Sequence, residues 1–200
     1  MEKLRAMKNR NGFLNNHLLI AMPSMADERF KRAIIYICAH GDEGAVGLVL
    51  NKKLETTFPD LLIRLGIINE ERKPFLSDRA KTLPVLNGGP VERNRGFVLH
   101  TNDYFCRATM TIASGLCLTS TTDVLKAISG DNGPKMSLTT LGYSDWTKGQ
   151  LEAEVSNNVW LTSSVDSNFL FSGEIEKQYD LSLLRMGINP NFLVAEAGHA

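Results

Sequence analysis

The stretch Ala33–Leu50, AIIYICAHGDEGAVGLVL, holds two apolar runs separated by a short polar segment. The first run, Ala33–Ala39, is rich in β-branched residues and does not alternate with polar ones, which is typical of a strand buried on both faces. His40–Gly44 contains two glycines and interrupts the pattern, and Ala45–Leu50 then resumes it. Two apolar strands on either side of a glycine-containing break predict a hairpin at the centre of a β-sheet.

Further strand and helix patterns continue on both sides of this hairpin. Apolar, β-prone runs predict strands at Leu18–Met22, Leu83–Leu86, Gly96–His100, Thr109–Ala113, Leu116–Leu118, Lys135–Gly142, Val159–Thr162 and Phe169–Phe171. Apolar residues at helical spacing predict helices at Thr57–Leu65, Asp123–Ser129, Asp145–Asn157 and Glu174–Met186. The polar stretch Asn69–Thr82 contains Pro74 and is predicted to be an exposed loop. Because strands and helices do not strictly alternate, the pattern predicts an α+β fold and not a doubly wound parallel sheet.

The composition bounds the class of protein. With 200 residues, 43% of them hydrophobic and 22% charged, the chain is ordinary for a soluble globular protein of one domain or two small ones. This excludes wholesale disorder, collagen-like repeats and a disulfide scaffold. The 22 basic and 22 acidic residues cancel to a net charge of +0, whereas dedicated nucleic-acid binders usually carry a basic excess. The charge therefore argues against direct nucleic-acid binding.

The N-terminal region and the cysteines bear on location. Leu18–Met22 is the longest apolar run near the start and ends at Pro23, far short of the ~20 residues that span a bilayer. The basic region before it lacks the apolar run of an export signal. The three cysteines, Cys38, Cys106 and Cys117, form no C-x-x-C pair, and their odd number argues against a disulfide framework. We therefore predict buried, reduced thiols in a cytoplasmic protein without membrane contact.

The four histidines, at positions 17, 40, 100 and 199, do not form a metal-binding motif. Neither H-E-x-x-H nor C-x-x-C spacing occurs, so we predict no metal and no cofactor. His40 and His100 each end an apolar run. A histidine at a strand end is either hydrogen-bonded at the rim of the sheet or displayed as an acid or base, since it titrates near neutral pH. Both interpretations stay open for these two residues.

The stretch Asn87–Gly96, NGGPVERNRG, is the most loop-like part of the chain. Its adjacent glycines permit positive φ, and successive backbone N–H groups in such a conformation can form an anion-binding nest. Arg93 and Arg95 would add positive charge suited to bidentate contacts with an anion. The alternative is a Gly-Gly-Pro turn with solvated arginines.

A second unusual stretch, Leu141–Glu152 (LGYSDWTKGQLE), joins a predicted strand to a predicted helix. Asp145 stands where it would cap that helix, and Trp146 in the first turn is expected to anchor the core. No G-x-S-x-G nucleophile elbow occurs in the chain.

Several segments together form a specific pattern: Leu18–Pro23 (LLIAMP), Tyr36–Asn51 (YICAHGDEGAVGLVLN), Asn87–Pro90 (NGGP), Arg95–His100 (RGFVLH), Leu141–Glu152, Val159–Thr162 (VWLT) and Gly198–Ala200 (GHA). On these segments the chain resembles the YqgE/AlgH family, an uncharacterised family of bacterial proteins, over essentially its whole length. The resemblance implies one compact α+β domain over residues 1–200, with a bent, partly barrel-like, mostly antiparallel β-sheet flanked by helices. Residues 1–13 are expected to form a flexible N-terminal segment.

The resemblance says less about function, because it supplies no accepted catalytic residues. Some members carry a provisional label of transcriptional regulator. The family motif positions that we take as ligand-binding residues are Asn51, Gly88, Gly89, Pro90, Arg95 and His100. Ala39 stands where the family usually has Glu before His40, which removes a carboxylate that would have partnered this histidine and weakens a catalytic role for it.

Two functional hypotheses follow. The first is a non-catalytic binding and regulatory module that recognises a protein or a small anionic ligand, because no nucleophile–base or metal signature is visible. The second is an enzyme acting on an anionic small molecule, in which Arg95 holds the anion and His100 acts as acid or base. The second requires one pocket that contains both side chains. Direct DNA binding ranks third because of the neutral charge.

Overall fold

A computed structural model describes residues 13–113 and 115–192. The predicted flexible segment, apart from Phe13, lies outside the described residues, as do His199 and the Gly198–Ala200 motif. The described chain divides into two compact units. The first unit contains the residues up to Lys52 together with those from Ser144 onward, and the second contains Lys53–Tyr143. The single-domain assignment stays a prediction.

Ten strands and six α-helices follow one another within the described residues. In chain order the strands are β1 (His17–Ala21), β2 (Ile34–Gly41), β3 (Gly44–Val49), β4 (Lys53–Thr57), β5 (Pro84–Asn87), β6 (Val91–Thr101), β7 (Met110–Ala113), β8 (Leu116–Thr119), β9 (Ser137–Trp146) and β10 (Trp160–Ser164). The helices are α1 (Phe58–Arg64), α2 (Asp78–Thr82), α3 (Thr122–Ser129), α4 (Gln150–Ser156), α5 (Ser167–Leu170) and α6 (Gln178–Arg185), and there are short 3-10 helices at Glu70–Phe75 and Pro190–Phe192.

The first unit is built on an antiparallel sheet in the order β10-β1-β2-β3, followed by the last residues of β9. The predicted hairpin is present: Gly41 pairs with Gly44, so that only two residues form the turn between β2 and β3. Every residue of β2 and β3 is buried, as the uninterrupted apolar runs predicted. The apolar core of this unit contains Ile35, Trp146 and Trp160.

The second unit orders its strands β4-β5-β9-β6-β8-β7. All of these pairs are antiparallel except β5 with β9, which is parallel. The Thr57 hydroxyl caps α1 by accepting from the Asp60 N–H, and Pro59 stands in the first turn, where its missing N–H costs no helical hydrogen bond. The inward faces of α1 and α3 meet in one apolar core together with Val98 of β6. The predicted α+β class with a mostly antiparallel sheet is confirmed.

Three predicted elements differ from the structure near the C-terminal end, and the last of them, the helix Glu174–Met186, begins only at Gln178. The predicted helix Asp145–Asn157 begins five residues late, because β9 continues to Trp146 and pairs there with Ala45 of β3. The helix starts only after Gly149, whose φ of 73° turns the backbone. The predicted strand Phe169–Phe171 is instead helical, since the Asp166 carboxylate accepts from the Phe169 N–H at 2.9 Å and caps α5.

The second unit also departs from prediction in two places. The stretch predicted as the loop Asn69–Thr82 contains a 3-10 helix capped by Asn69 and the helix α2 capped by Ser77. Strand β4 is not predicted by the sequence, because its residues are only exposed or half-buried and it lacks the apolar run that marks the other strands. None of the helices described in residues 13–113 and 115–192 is long and apolar enough to cross a membrane.

Candidate functional site

The diglycine bend uses its backbone N–H groups internally. The Gly88 N–H donates to the carbonyl of Leu141 at 2.8 Å, and the Gly89 N–H donates to the Asn87 side-chain oxygen at 3.3 Å. A Cβ on Gly88 would lie 2.3 Å from the Gly142 carbonyl oxygen, so this glycine allows the bend to approach β9 closely. The bend therefore functions as a packed turn, and its geometry does not support the anion-binding nest.

Arg95 is held against its own strand. Its guanidinium donates to the Glu92 carboxylate at 2.8 Å and lies 5.5 Å from the centre of the Phe97 ring. The ion pair is partly exposed, and the arginine lowers the pKa of the Glu92 carboxyl, chiefly through this hydrogen bond. Arg95 is thus already paired with a carboxylate.

His100 is completely buried, and both of its ring nitrogens are hydrogen-bonded. Nδ1 lies 2.7 Å from the Thr101 carbonyl oxygen, and Nε2 lies 2.9 Å from the Thr119 hydroxyl. Because a carbonyl oxygen only accepts, these contacts assign the proton of the neutral ring to Nδ1. Burial lowers the pKa of His100 despite opposing contributions from Thr101 and Asp103. The ring is therefore a neutral, interior group.

The structure does not bring Arg95 and His100 together. The β6–β9 register is regular from Gly96 to His100, and side chains alternate between faces along a strand. Phe97, on which Arg95 packs, and His100 therefore point to opposite faces of the sheet. Asn51 belongs to the first unit, where its side chain accepts from the Ile34 N–H and donates to the Arg32 carbonyl, both at 2.8 Å.

In the first unit, His40 ties an N-terminal segment to the hairpin and to α4. Its Nδ1 accepts from the Leu14 N–H at 3.0 Å, which places the proton of the neutral ring on Nε2, 3.1 Å from the Glu152 carboxylate. The Asn15 side chain donates to the His40 carbonyl at 3.0 Å and accepts from its N–H at 2.7 Å. Since the ring is only 2% exposed, this network holds the fold together.

Two tryptophans of the first unit share one carboxylate. The indole N–H groups of Trp146 and Trp160 donate to the same oxygen of Glu154 at 2.8 and 2.7 Å. Gln150 donates to the other oxygen at 2.9 Å. Trp146 is buried in the core as predicted.

An open groove lies on the second unit and encloses about 760 Å³. It is lined by residues 66–69, Arg72, Leu76, Lys126 and residues 129–130; we call it the basic groove. Its walls are apolar at Ile67, Ile68 and Leu76, while both of its charged residues are basic. Within the described part of the chain, no carboxylate pairs with Arg72 or Lys126.

A series of side-chain hydrogen bonds runs from a half-buried thiol to His100. Cys106 Sγ lies 3.4 Å from the Thr109 hydroxyl, which lies 2.8 Å from the Thr119 hydroxyl, and Thr119 contacts His100 Nε2. We call Cys106, Thr109, Thr119 and His100 the hydroxyl relay. The prediction of a buried thiol is confirmed for Cys38 and Cys117 but is wrong for Cys106.

The family model of the AlgH-like proteins (DUF179) matches residues 18–191. The chain belongs to the AlgH-like family. It is 52% identical over 194 residues to a UPF0301 protein of Bartonella quintana, covering 97% of this chain and 100% of the relative. It is 50% identical over 196 residues to a UPF0301 protein of Brucella melitensis, covering 98% of each.

Solved structures agree with this assignment. The solution structure of the AlgH protein from Pseudomonas aeruginosa is similar, with a TM-score of 0.76 and 37% identity over 96% of this AlgH-like chain and 99% of that protein. A crystal structure of protein DIP2367 from Corynebacterium diphtheriae has a TM-score of 0.66 at 17% identity, covering 92% of each chain. The second comparison shows the fold alone.

The sequence motifs of this AlgH-like chain did not reveal the basic groove or the hydroxyl relay. Residues 66–69, Arg72 and Leu76 of the groove lie in or beside the stretch predicted to be an exposed loop, whereas Lys126 and residues 129–130 come from α3 and its end, so that no single motif joins them. The relay joins residues from a loop and two strands, and its spacing along the chain follows no motif. Among the residues that the structure describes, no group of three His, Cys, Asp or Glu side chains is arranged to hold a metal ion.

Proposed function

We propose that this AlgH-like chain is a non-catalytic cytoplasmic binding module and that its basic groove binds an acidic, amphipathic segment of a partner protein. The observation that carries the proposal is the combination of apolar walls with two cations that have no carboxylate partner among the described residues. An amphipathic segment would place apolar side chains against such walls and carboxylates against the cations.

The chemistry of the groove favours this partner over a neutral one. Arg72 stands on the 3-10 helix and Lys126 on α3, so the two charges come from different elements of the same unit. A neutral ligand would leave both charges without compensation when it excluded water. Acidic side chains would instead pair with them, and such pairs mainly determine specificity and the rate of association.

Two large, exposed apolar residues directly precede residues that line the groove in the sequence. Leu65 directly precedes the lining residue Gly66 and is 43% exposed, while Phe75 directly precedes Leu76 and is 76% exposed. Large exposed apolar side chains next to a groove are typical of interaction surfaces. They would extend the contact beyond the lining itself.

The alternative of an enzyme that uses Arg95 and His100 is less well supported. Arg95 is paired with Glu92, and both His100 nitrogens are engaged inside the protein. A regulatory role would be indirect and would act through the bound partner, in keeping with the neutral charge of the chain.

The test uses a fluorescein-labelled peptide in which leucines at helical spacing face one side and glutamates the other. We expect the double variant Arg72→Glu with Lys126→Glu to weaken binding at least tenfold, which corresponds to about 1.4 kcal/mol, in fluorescence anisotropy. The matched control, Lys81→Glu with Arg93→Glu, changes the charge equally outside the groove and should bind like the wild type. The same peptide with lysines in place of glutamates should not bind. Equal affinities of the two double variants would refute the proposal, as would no binding to the wild type.

A further inference from the structure

The strand β10 (Trp160–Ser164) forms one edge of the sheet in the first unit. It pairs with β1 along its whole length without a bulge, from Trp160 opposite Ala21 to Ser164 opposite His17. An edge strand uses only half of its backbone N–H and C=O groups inside its own sheet, and the other half points outward. The hydrogen bonds of β1 determine which groups of β10 belong to the outward half.

Two backbone bonds at the end of β1 fix these directions. The Met22 N–H, just beyond β1, donates to the Val159 carbonyl beside β10 at 3.0 Å. The Ala21 N–H donates the opposite way, to the Ala33 carbonyl beside β2, also at 3.0 Å. Hydrogen-bonded and non-hydrogen-bonded pairs alternate along an antiparallel ladder. The even-numbered residues of β1 therefore bond to β10, and the odd-numbered ones bond to β2.

Three residues of β10 consequently point their backbone groups away from the sheet. Leu161 and Ser163 lie opposite even-numbered residues of β1, so their N–H and C=O groups bond to β1. Trp160, Thr162 and Ser164 direct theirs outward. Among the residues that the structure describes, no other element accepts from these three N–H groups. The Ser164 carbonyl accepts from the Ser163 hydroxyl at 3.1 Å and has a second lone pair for another donor.

The edge strands of the second unit, β4 and β7, carry features that discourage pairing with another chain. β4 contains Lys53 and Glu55, and its register with β5 is irregular. β7 has only four residues and a bulge between Thr111 and Ala113. Charged residues, short length and bulges are the features that protect edge strands in natural proteins. β10 lacks such protection, because it is regular and contains neither a charged residue nor a proline.

The outward groups of β10 are arranged symmetrically about Thr162. When a second β10 lies antiparallel beside the first, Thr162 opposes Thr162 of the second copy, and Trp160 opposes Ser164 of that copy. Each of these is a hydrogen-bonded pair, in which both N–H groups donate across the junction. No like charges meet, because β10 is uncharged, and opposed threonine side chains can hydrogen-bond to each other. The strand is therefore complementary to itself.

We propose that β10 is a dimerisation strand and that two copies of this chain pair there antiparallel, with a two-fold axis at Thr162. The interface is isologous, because the same strand of each copy contacts the other. It joins the two sheets into one and removes the unprotected edge. A second copy is the occupant because the outward groups match their own symmetric image and no charge on β10 selects a different partner. The basic groove lies in the second unit, so the dimer does not depend on the proposed function.

The first test is sedimentation velocity of the full-length protein over a series of concentrations, which should show a wild-type dimer. Thr162→Lys and Thr162→Glu each place two like charges opposite one another and should raise the dimer dissociation constant about tenfold or more. An equimolar mixture of these two variants should dimerise again, since Lys then opposes Glu. Thr56→Lys and Thr56→Glu, at a half-buried threonine of the edge strand β4, are the matched controls and should dimerise like the wild type. A wild type that stays monomeric would overturn the proposal and leave the edge to a strand of another protein, and an unchanged dissociation constant in both Thr162 variants would overturn it too.

The second test examines the register by disulfide cross-linking. Directly opposed residues of a hydrogen-bonded pair have Cα atoms about 5.5 Å apart, which a disulfide can span. Thr162→Cys should therefore give a covalent dimer on a non-reducing gel after oxidation with copper phenanthroline. In Ser163→Cys the two thiols are diagonal neighbours about 7–8 Å apart, beyond the reach of a disulfide, and the wild type reports any background from its three native cysteines. A failure of Thr162→Cys to cross-link, or stronger cross-linking of Ser163→Cys, would contradict a two-fold axis at Thr162.

Discussion

Gly88 and Gly142 lie so close that a Cβ atom on Gly88 would come within 2.3 Å of the Gly142 carbonyl oxygen. Gly142 has a φ of 77°, and a Cβ placed on it would lie 2.5 Å from the Gly89 carbonyl oxygen. The two backbones therefore meet without side chains between them. The family motif NGGP and the glycine of LGYSDW are thus explained together by packing.

Replacement of Gly88 by alanine should destabilise the protein. The added methyl group meets backbone and the Thr140 side chain, so the bend must move, and we expect a loss of about 2 kcal/mol or more in the free energy of unfolding. Gly96→Ala is the matched control, because the nearest atom to its Cβ lies 4.0 Å away. Urea unfolding followed by circular dichroism measures both. Equal stability of the two variants would contradict the packing role of Gly88.

Loss of the Glu154 carboxylate should be costly. In Glu154→Ala two buried indole N–H groups lose their acceptor, and an unsatisfied buried donor costs about 1–3 kcal/mol. We expect a decrease of about 2–4 kcal/mol in the free energy of unfolding. Glu174→Ala, which removes only an exposed ion pair with Lys177, should change stability by less than about 1 kcal/mol. Chemical denaturation with a circular dichroism readout tests the difference.

We expect the Asn51 side chain to stabilise the fold and not to bind a ligand. It bridges the Ile34 N–H and the Arg32 carbonyl, so Asn51→Ala should lower the free energy of unfolding by about 1–3 kcal/mol. Asn157→Ala, at an exposed helix end, should remain within about 0.5 kcal/mol of the wild type. Thermal unfolding measures both, and an unchanged melting temperature for Asn51→Ala would return this residue to the list of candidate ligand-binding groups.

The buried imidazole of His100 predicts a pH dependence of stability. Because burial lowers its pKa below the ordinary 6.5, the unfolded chain binds more protons than the folded one below that pH, and stability rises with pH. Its contribution is fully present above 6.5 and is lost as the pH falls through the lowered pKa of the folded state. We expect the slope between about pH 7 and pH 5 to decrease in His100→Asn. An unchanged slope in that variant would argue against a neutral interior ring.

The hairpin of β2 and β3 could be predicted because its signal is local. Uninterrupted apolar runs and a glycine-containing break need no knowledge of the rest of the chain. The course of residues 143–149 could not be predicted in this way, because Asp145 and Trp146 are also residue types that suit the start of a helix. What extends β9 there is its pairing with Ala45, about one hundred residues earlier in the sequence, and tertiary pairing overrides local propensity.

The candidate sites were harder to predict for the same physical reason. Whether His100 is displayed or buried depends on Thr119, and whether Arg95 is free depends on the carboxylate of Glu92. The sequence shows that these side chains exist but not which ones meet. Cys106 illustrates the difficulty, because its β-prone neighbours are typical of a buried thiol, yet the side chain is only half-buried.

The Glu154 cluster has a spectroscopic consequence. The chain has two tryptophans, and both belong to the first unit and donate to the same carboxylate. Intrinsic emission excited at the red edge of indole absorption will therefore report on the surroundings of these two side chains in the first unit. The second unit, which carries the basic groove, contains no tryptophan, so a fluorophore has to be introduced there to follow it directly.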